Sequence, residues 1–145
     1  MKHEKYDIII VEDNPNDAEL MTRSLRKNRL SNKLIVLEDG EQALDFIFGK
    51  GKYSKRGTIV SPKVIFLDIK LPKVNGLEVL KQLKANEKTK KIPVVIVTSS
   101  NQYPDIETAY KLGANSYVVK PVDFDHFKDT IDHLGLYWLI VNEHR

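Results

Sequence analysis

No cysteine occurs in the 145 residues of this chain. That absence excludes thiolate metal sites, thiol nucleophiles and disulfides together, and it suits a reducing compartment. Long apolar runs are missing as well. None exceeds the one from Leu136 to Val141, far too short to span a bilayer. The N-terminal MKHEKYD is charged and leads into no h-region, so neither a secretory signal nor a membrane contact is expected, and the cytoplasm is the expected location. A strong excess of one charge is also absent: 23 basic residues face 20 acidic ones, for a net charge of +3. The excess of base is concentrated in two stretches, Lys50, Lys52, Lys55, Arg56 and Lys63, then Lys84 to Lys91. No nucleic-acid-binding module stands behind them. They read as solvated loops, and no nucleic-acid partner is expected.

What is present is alternation. Apolar runs at Tyr6–Val11, Leu34–Leu37, Val64–Leu67, Ile92–Val97 and Tyr117–Val119 show no clean polar/apolar alternation, as expected of strands buried on both faces of a parallel sheet. Helical segments with start signals lie between them. Asn14-Pro15-Asn16-Asp17 offers an Asn cap, a Pro at the first helical position and an acid in the first turn. Asp39 to Gln42 and Asn75 to Glu78 read as capping boxes, and Asp123 as the cap of the last helix. Five βα units with right-handed crossovers predict an α/β fold, a doubly wound five-stranded parallel sheet with helices on both faces. One domain over residues 1–145 is expected. The connection from Gly49 to Pro62 is long for its type and is expected to be mobile.

Ligands of such sheets bind beyond the carboxyl ends of the strands. Strand 1 ends in Glu12-Asp13, strand 3 in Asp68, strand 4 in Thr98-Ser99-Ser100 and strand 5 in Lys120. With neighbouring strands about 4.8 Å apart, these side chains converge on one small volume. Three carboxylates at close range repel, and a hard divalent cation such as Mg²⁺ is the usual remedy. A phosphoryl group there would meet the cation, the Lys120 ammonium and the Thr98 hydroxyl. Phosphoryl transfer needs mainly this alignment and charge neutralisation. Asp68, alone at the end of the central strand, is the natural carboxylate nucleophile. Plainer readings exist for each residue: helix-dipole acids for Glu12 and Asp13, a turn cap for Asp68, a β-former for Thr98, any surface ion pair for Lys120. Their coincidence at matching strand ends favours a site.

These residues carry a resemblance. Glu12-Asp13 after an apolar strand, FLDIKLPKVNG (66–76), VTSS (97–100) and SYVVKP (116–121) resemble a receiver domain of two-component response regulators, from about Tyr6 to His133. The resemblance implies the flavodoxin-like fold with strand order 2-1-3-4-5. It implies that Asp68 accepts phosphate from a histidine kinase, with Mg²⁺ on Asp13, Asp68 and the backbone carbonyl of Lys70, and Glu12 acting through water. Thr98 and Lys120 would contact the phosphoryl oxygens, Tyr117 would be an aromatic switch, and the Lys120–Pro121 bond would be cis. Lys70 and Ser100 stand where the family tunes phosphoryl lifetime. More narrowly, the long loop before strand 3 and the YWLIV tail resemble stand-alone regulators of phytochrome-like kinases.

Only 24 residues follow Pro121, so no output domain is expected. The expected role is a signalling protein rather than an enzyme, with no catalysis beyond its own phosphorylation and dephosphorylation. Phe127, Ile131, Leu134 and Trp138 fall at helical spacing and should pack on the sheet. The remaining apolar surface, with Trp138, Leu139 and Ile140, reads as an interface, a homodimer through helix 4, strand 5 and helix 5. Three alternatives stand beside this reading. An Mg²⁺-dependent phosphohydrolase with an aspartate nucleophile would want an acid where Lys70 stands. A pseudo-receiver would lack an acid or the lysine, and an FMN carrier would need a Ser/Thr-rich loop after strand 1.

Overall fold

Each apolar run becomes a strand of four or five residues in the computed structural model, which describes residues 6–27 and 33–133. The elements are β1 (Ile8–Val11), α1 (Pro15–Lys27), β2 (Leu34–Leu37), α2 (Gly40–Phe48), a 3-10 turn (Gly51–Tyr53), β3 (Val64–Leu67), α3 (Gly76–Ala85), β4 (Val94–Thr98), α4 (Tyr103–Lys111), β5 (Ser116–Val119) and α5 (Phe124–His133). All pairings are parallel, in the order β2-β1-β3-β4-β5. The expected order therefore holds. Strand starts differ: β1 begins at Ile8 rather than Tyr6, and β4 at Val94 rather than Ile92. Pro93 has no N–H for a ladder, and contributes only its carbonyl, which accepts from the N–H of Ile65 at 3.0 Å.

The central strands β1, β3 and β4 are buried along their whole length. Successive side chains of a strand point to opposite faces, so each strand feeds two cores. Ile9, Val11, Ile65, Leu67, Val94 and Ile96 pack with Phe46 and Ile47 of α2, Leu80 and Leu83 of α3, and Ala109 of α4. Ile8, Ile10, Val64, Phe66, Val95 and Val97 pack on the other side with Met21 and Leu25 of α1 and Phe127 of α5. The Phe66 and Phe127 rings lie 4.9 Å apart, centre to centre. Full burial of one such side chain contributes about 1.5–3 kcal/mol. Leu134, Trp138, Leu139 and Ile140 lie outside the described residues, as does the side chain of Ile131.

The helix starts follow the sequence signals. Asn14 Oδ1 accepts from the N–H groups of Asn16 and Asp17, a cap worth about 1 kcal/mol. Asp123 Oδ1 accepts from the N–H of His126. Asp39 Oδ1 accepts from Gln42, but the Gln42 amide returns to the N–H of Glu38 rather than Asp39. In the second expected box Asn75 caps through Leu77, while Glu78 accepts from Gln82 one turn on.

The connection after α2 departs from expectation. It is folded back on α2 rather than loose. Gly49 adopts φ 68° and closes the helix, its N–H bonded to the carbonyl of Asp45. The Tyr53 ring stands edge-on to Phe46 at 5.0 Å, and the Arg56 guanidinium covers the Phe46 ring at 4.9 Å. Arg56 also donates to the carbonyls of Phe46 and Thr58. Lys84 is a second correction. Its ammonium is half-buried and donates to the carbonyls of Lys90 and Ile92, and burial lowers its pKa. Both cations are structural donors rather than solvated charge.

Candidate functional site

Strand register sets the site. Val11 pairs with Leu37 on one side and Leu67 on the other, and Leu67 pairs with Ile96, so these strands end nearly flush. Glu12, Asp13, Asp68 and Thr98 therefore come together at one edge. Glu12 and Asp13 are adjacent in sequence and differ in surroundings: Glu12 is 2% exposed, whereas Asp13 faces solvent. Asp68 is buried between them and Thr98. One carboxylate oxygen from each of Glu12, Asp13 and Asp68 lies within 4.8 Å of the others.

Lys120 answers most of this negative charge. Its ammonium donates to Asp68 Oδ2 at 2.8 Å, across 52 positions of sequence. It also lies 2.6 Å from Glu12 Oε1 and 2.9 Å from Asp17 Oδ2. Burial alone would lower the Lys120 pKa, but the three carboxylates outweigh it and hold the ammonium above the ordinary lysine range. For Glu12 burial prevails instead. Burial is the main cause, and with the nearby Asp68 charge it pushes the carboxyl up to about 7, against the opposing pull of Lys120 and of the Asn14 N–H at 3.2 Å. Glu12 Oε1, though close to Lys120, lies off its hydrogen-bond directions and is buried without a directional donor. One cation is too few for these acids. An all-oxygen donor set with a lone pair to spare suits a hard divalent ion such as Mg²⁺ or Mn²⁺, so the residues present fit such a cation.

Backbone geometry holds Asp68 in place. Its Oδ1 accepts from the N–H of Lys70 at 3.2 Å. The start of α3 presses on it from behind: a Cβ on Gly76 would stand 1.9 Å from the Asp68 carbonyl oxygen. Only a residue without Cβ allows that approach. On the other flank Thr98 is fully buried, and its Oγ1 accepts from the N–H of Ser100 at 3.4 Å. The Tyr117 hydroxyl donates to the Ser100 carbonyl at 2.9 Å, and the Ser100 hydroxyl donates to Asp105 Oδ2 at 2.5 Å. Burial, with the charges of Asp105 and Asp68, raises the Tyr117 pKa. The Lys120–Pro121 bond is cis, as expected.

Glu12, Asp13, Asp68 and Lys120 thus form one cluster, and Thr98 ends the strand beside Asp68. Lys70 joins it through its backbone N–H, its side chain being exposed. Tyr117 is linked to Thr98 by hydrogen bonds through the Ser100 backbone. His126 and His133 are exposed. Two participants were missed in the sequence. Asp17 was read only as a first-turn acid, yet it contacts Lys120; Asp105 was not singled out, yet it anchors Ser100. The available signal for Asp17 was its place in the turn that follows the strand-1 acids.

Residues 8–132 match the response regulator receiver domain family. Response regulator Rcp1 of Synechocystis sp. is 33% identical over 132 residues, covering 91% of this chain and 88% of Rcp1. A crystal structure of the Mn(2+)-bound form of Rcp1 superposes with a TM-score of 0.76 at 35% identity, covering 89% of this chain and 93% of that one. The bacteriophytochrome response regulator RtBRR is 46% identical with a TM-score of 0.80, covering 91% of this chain and 79% of its own. The probable methanogenesis regulatory protein FilR2 of Methanothrix harundinacea is 37% identical, covering 91% of this chain and 83% of FilR2. Phosphorylation of an aspartate is the general mechanism of this family, and receivers of its phytochrome-associated members pair with histidine kinases. By its fold, its strand-end cluster and these matches, the chain belongs to the response regulator receiver family of two-component signalling.

Proposed function

We propose that the chain is a stand-alone receiver, a single domain over residues 1–145, phosphorylated on Asp68 by a histidine kinase, and that it signals by changing partners. The observation that carries this is the Lys120 ammonium 2.8 Å from Asp68 Oδ2, beside a three-carboxylate cluster. In the transfer a carboxylate oxygen of Asp68 bonds to phosphorus while the P–N bond to the donor imidazole breaks. The departing nitrogen keeps the electron pair and takes a proton from solvent. Asp13, Asp68 and the Lys70 backbone carbonyl would hold Mg²⁺, with Glu12 acting through water. The bound cation would supply charge neutralisation to the phosphoryl oxygens. Lys120 takes up charge on the phosphoryl group, and the Thr98 hydroxyl donates to it. Tyr117 is the switch, because drawing Thr98 toward phosphate disturbs the Ser100 segment that its hydroxyl holds.

The resemblance to Rcp1 and RtBRR supports a phytochrome-like kinase as the donor. A cytoplasmic site of action fits such a donor, and among the described residues no helix is long and apolar enough to cross a membrane. Exposed Tyr103, Tyr110 and Val119 on α4 and β5 support a homodimer through α4, β5 and α5. The test is incubation with acetyl phosphate and Mg²⁺ followed by intact mass. Here the phosphorus–oxygen bond to acetate breaks and acetate leaves. A single phosphoryl adduct is expected, absent in Asp68→Asn. No adduct on the wild type at any reaction time would overturn the reading.

A further inference from the structure

An ammonium has three protons, and Lys120 faces three carboxylates. Asp68 takes one proton in hydrogen-bond geometry, while Glu12 and Asp17 are ion pairs at 2.6 and 2.9 Å. Glu12 and Asp68 belong to the acidic cluster at the strand ends. Asp17 does not. It belongs to the first turn of α1, and its side chain is 36% exposed against 1% for Glu12 and 7% for Asp68. Nor is its carboxylate spent on the helix end, since Asn14 caps the N–H groups of residues 16 and 17.

We propose that Asp17 is a positioning residue: it occupies the part of the Lys120 ammonium that a phosphoryl oxygen takes, and it releases the lysine when Asp68 is phosphorylated. This rests on Asp68 as the acceptor. Phosphorylation replaces a carboxylate charge with a dianionic group beside Lys120, and three protons cannot then serve every acid. Releasing Glu12 would strand a charge among buried groups, which is costly. Releasing Asp17 exposes a carboxylate that water can already reach, and the loss is small. Asp17 is therefore the partner that leaves. Two consequences follow. Asp17 competes with the phosphoryl group for Lys120, so neutralising it favours the loaded form. The tie between α1 and the end of β5 also exists only in the unloaded form.

The test uses the full chain and beryllofluoride with saturating Mg²⁺ as the phosphoryl analogue, with affinity from calorimetry and thermal unfolding with and without the analogue. Asp17→Asn is expected to tighten beryllofluoride binding about two- to fivefold, the range of one partly exposed ion pair. Asp17→Glu should restore wild-type affinity, because it keeps the competing carboxylate. Glu19→Gln removes the same charge from the same helix at a residue paired with Arg23, and should change nothing. Asp17→Asn should lower the melting temperature of the free protein more than that of the loaded one. Unchanged or weakened binding in Asp17→Asn, an equal gain in Glu19→Gln, or equal destabilisation of both forms would overturn the inference. If the wild type itself fails to load, the acceptor reading falls, and the inference with it.

Discussion

Two regions of the molecule concentrate charge, and they handle it in opposite ways. In the connection from α2 to β3, three cations find neutral partners nearby: Arg56 spreads over the faces of Phe46 and Tyr53 and donates to backbone carbonyls, and Lys50 and Lys52 lie over neighbouring rings. At the carboxyl edge of the sheet, Glu12, Asp17 and Asp68 share a single lysine, Asp13 adds a further carboxylate beside Glu12 and Asp68, and a buried oxygen of Glu12 is left without a directional donor. The first arrangement is complete in itself and stabilises a loop. The second is incomplete, and its shortage of positive charge is what a divalent cation would fill. Crowded charge of one sign thus marks chemistry, whereas charge balanced by rings and carbonyls marks structure.

That contrast can be broken in stages. The largest effect is expected from Asp68→Asn, which removes the proposed acceptor and should abolish the phosphoryl adduct in intact mass while the fold persists by circular dichroism. Gly76→Ala should come next. Its Cβ would collide with the Asp68 carbonyl oxygen at 1.9 Å, and overpacking against backbone should cost about 3 kcal/mol in denaturant unfolding. Third, Asp13→Asn should weaken Mg²⁺ binding by about tenfold, roughly 1.4 kcal/mol, and Glu12→Gln by less, measured by calorimetry. An equal loss would put both acids in direct contact with the metal.

Arg56→Ala probes the other region. It should cost about 1–2 kcal/mol of stability through lost ring and carbonyl contacts, with phosphorylation by acetyl phosphate unchanged. A drop in phosphorylation would join the two regions and end the contrast. The smallest effect concerns Tyr117. Its folded pKa is raised above the usual 10.0 by burial, so the stability from its neutral form is complete below pH 10 and is lost as pH climbs through the folded value. Tyr117→Phe should remove that alkaline loss and cost no more than about 1 kcal/mol at neutral pH, the net worth of one hydrogen bond. Urea unfolding of both proteins at pH 8 and above pH 10 measures it.

Much of this was legible in the sequence. The apolar runs and the caps at Asn14, Asp39 and Asp123 are local signals, and the structure realises them within a residue or two. The cluster was legible because parallel strands deliver their last residues to one edge, which makes Asp68 and Lys120 neighbours despite their separation. Asp17 and Asp105 were not. They ride on helices whose rotation about their own axes is set by tertiary packing, and no local pattern reports it. Arg56 and Lys84 were misread for a related reason: a chain shows which residues are charged, but not which carbonyls a fold leaves in need of a donor. Residues 134–145, with the expected interface at Trp138, Leu139 and Ile140, lie outside the described residues.

The adjacency of Glu12 and Asp13 carries one more consequence. Because neighbouring residues on an extended chain look opposite ways, β1 works as a reading frame for the site. Its phase decides which acid enters the core to meet Lys120 and which stays in the water. Deleting one residue from Ile8–Val11 would shift that frame, and the inner slot would receive the next side chain along, the shorter aspartate. Such a deletion keeps both acids in the chain and still miswrites the site, so spacing here is as much a part of the chemistry as residue type.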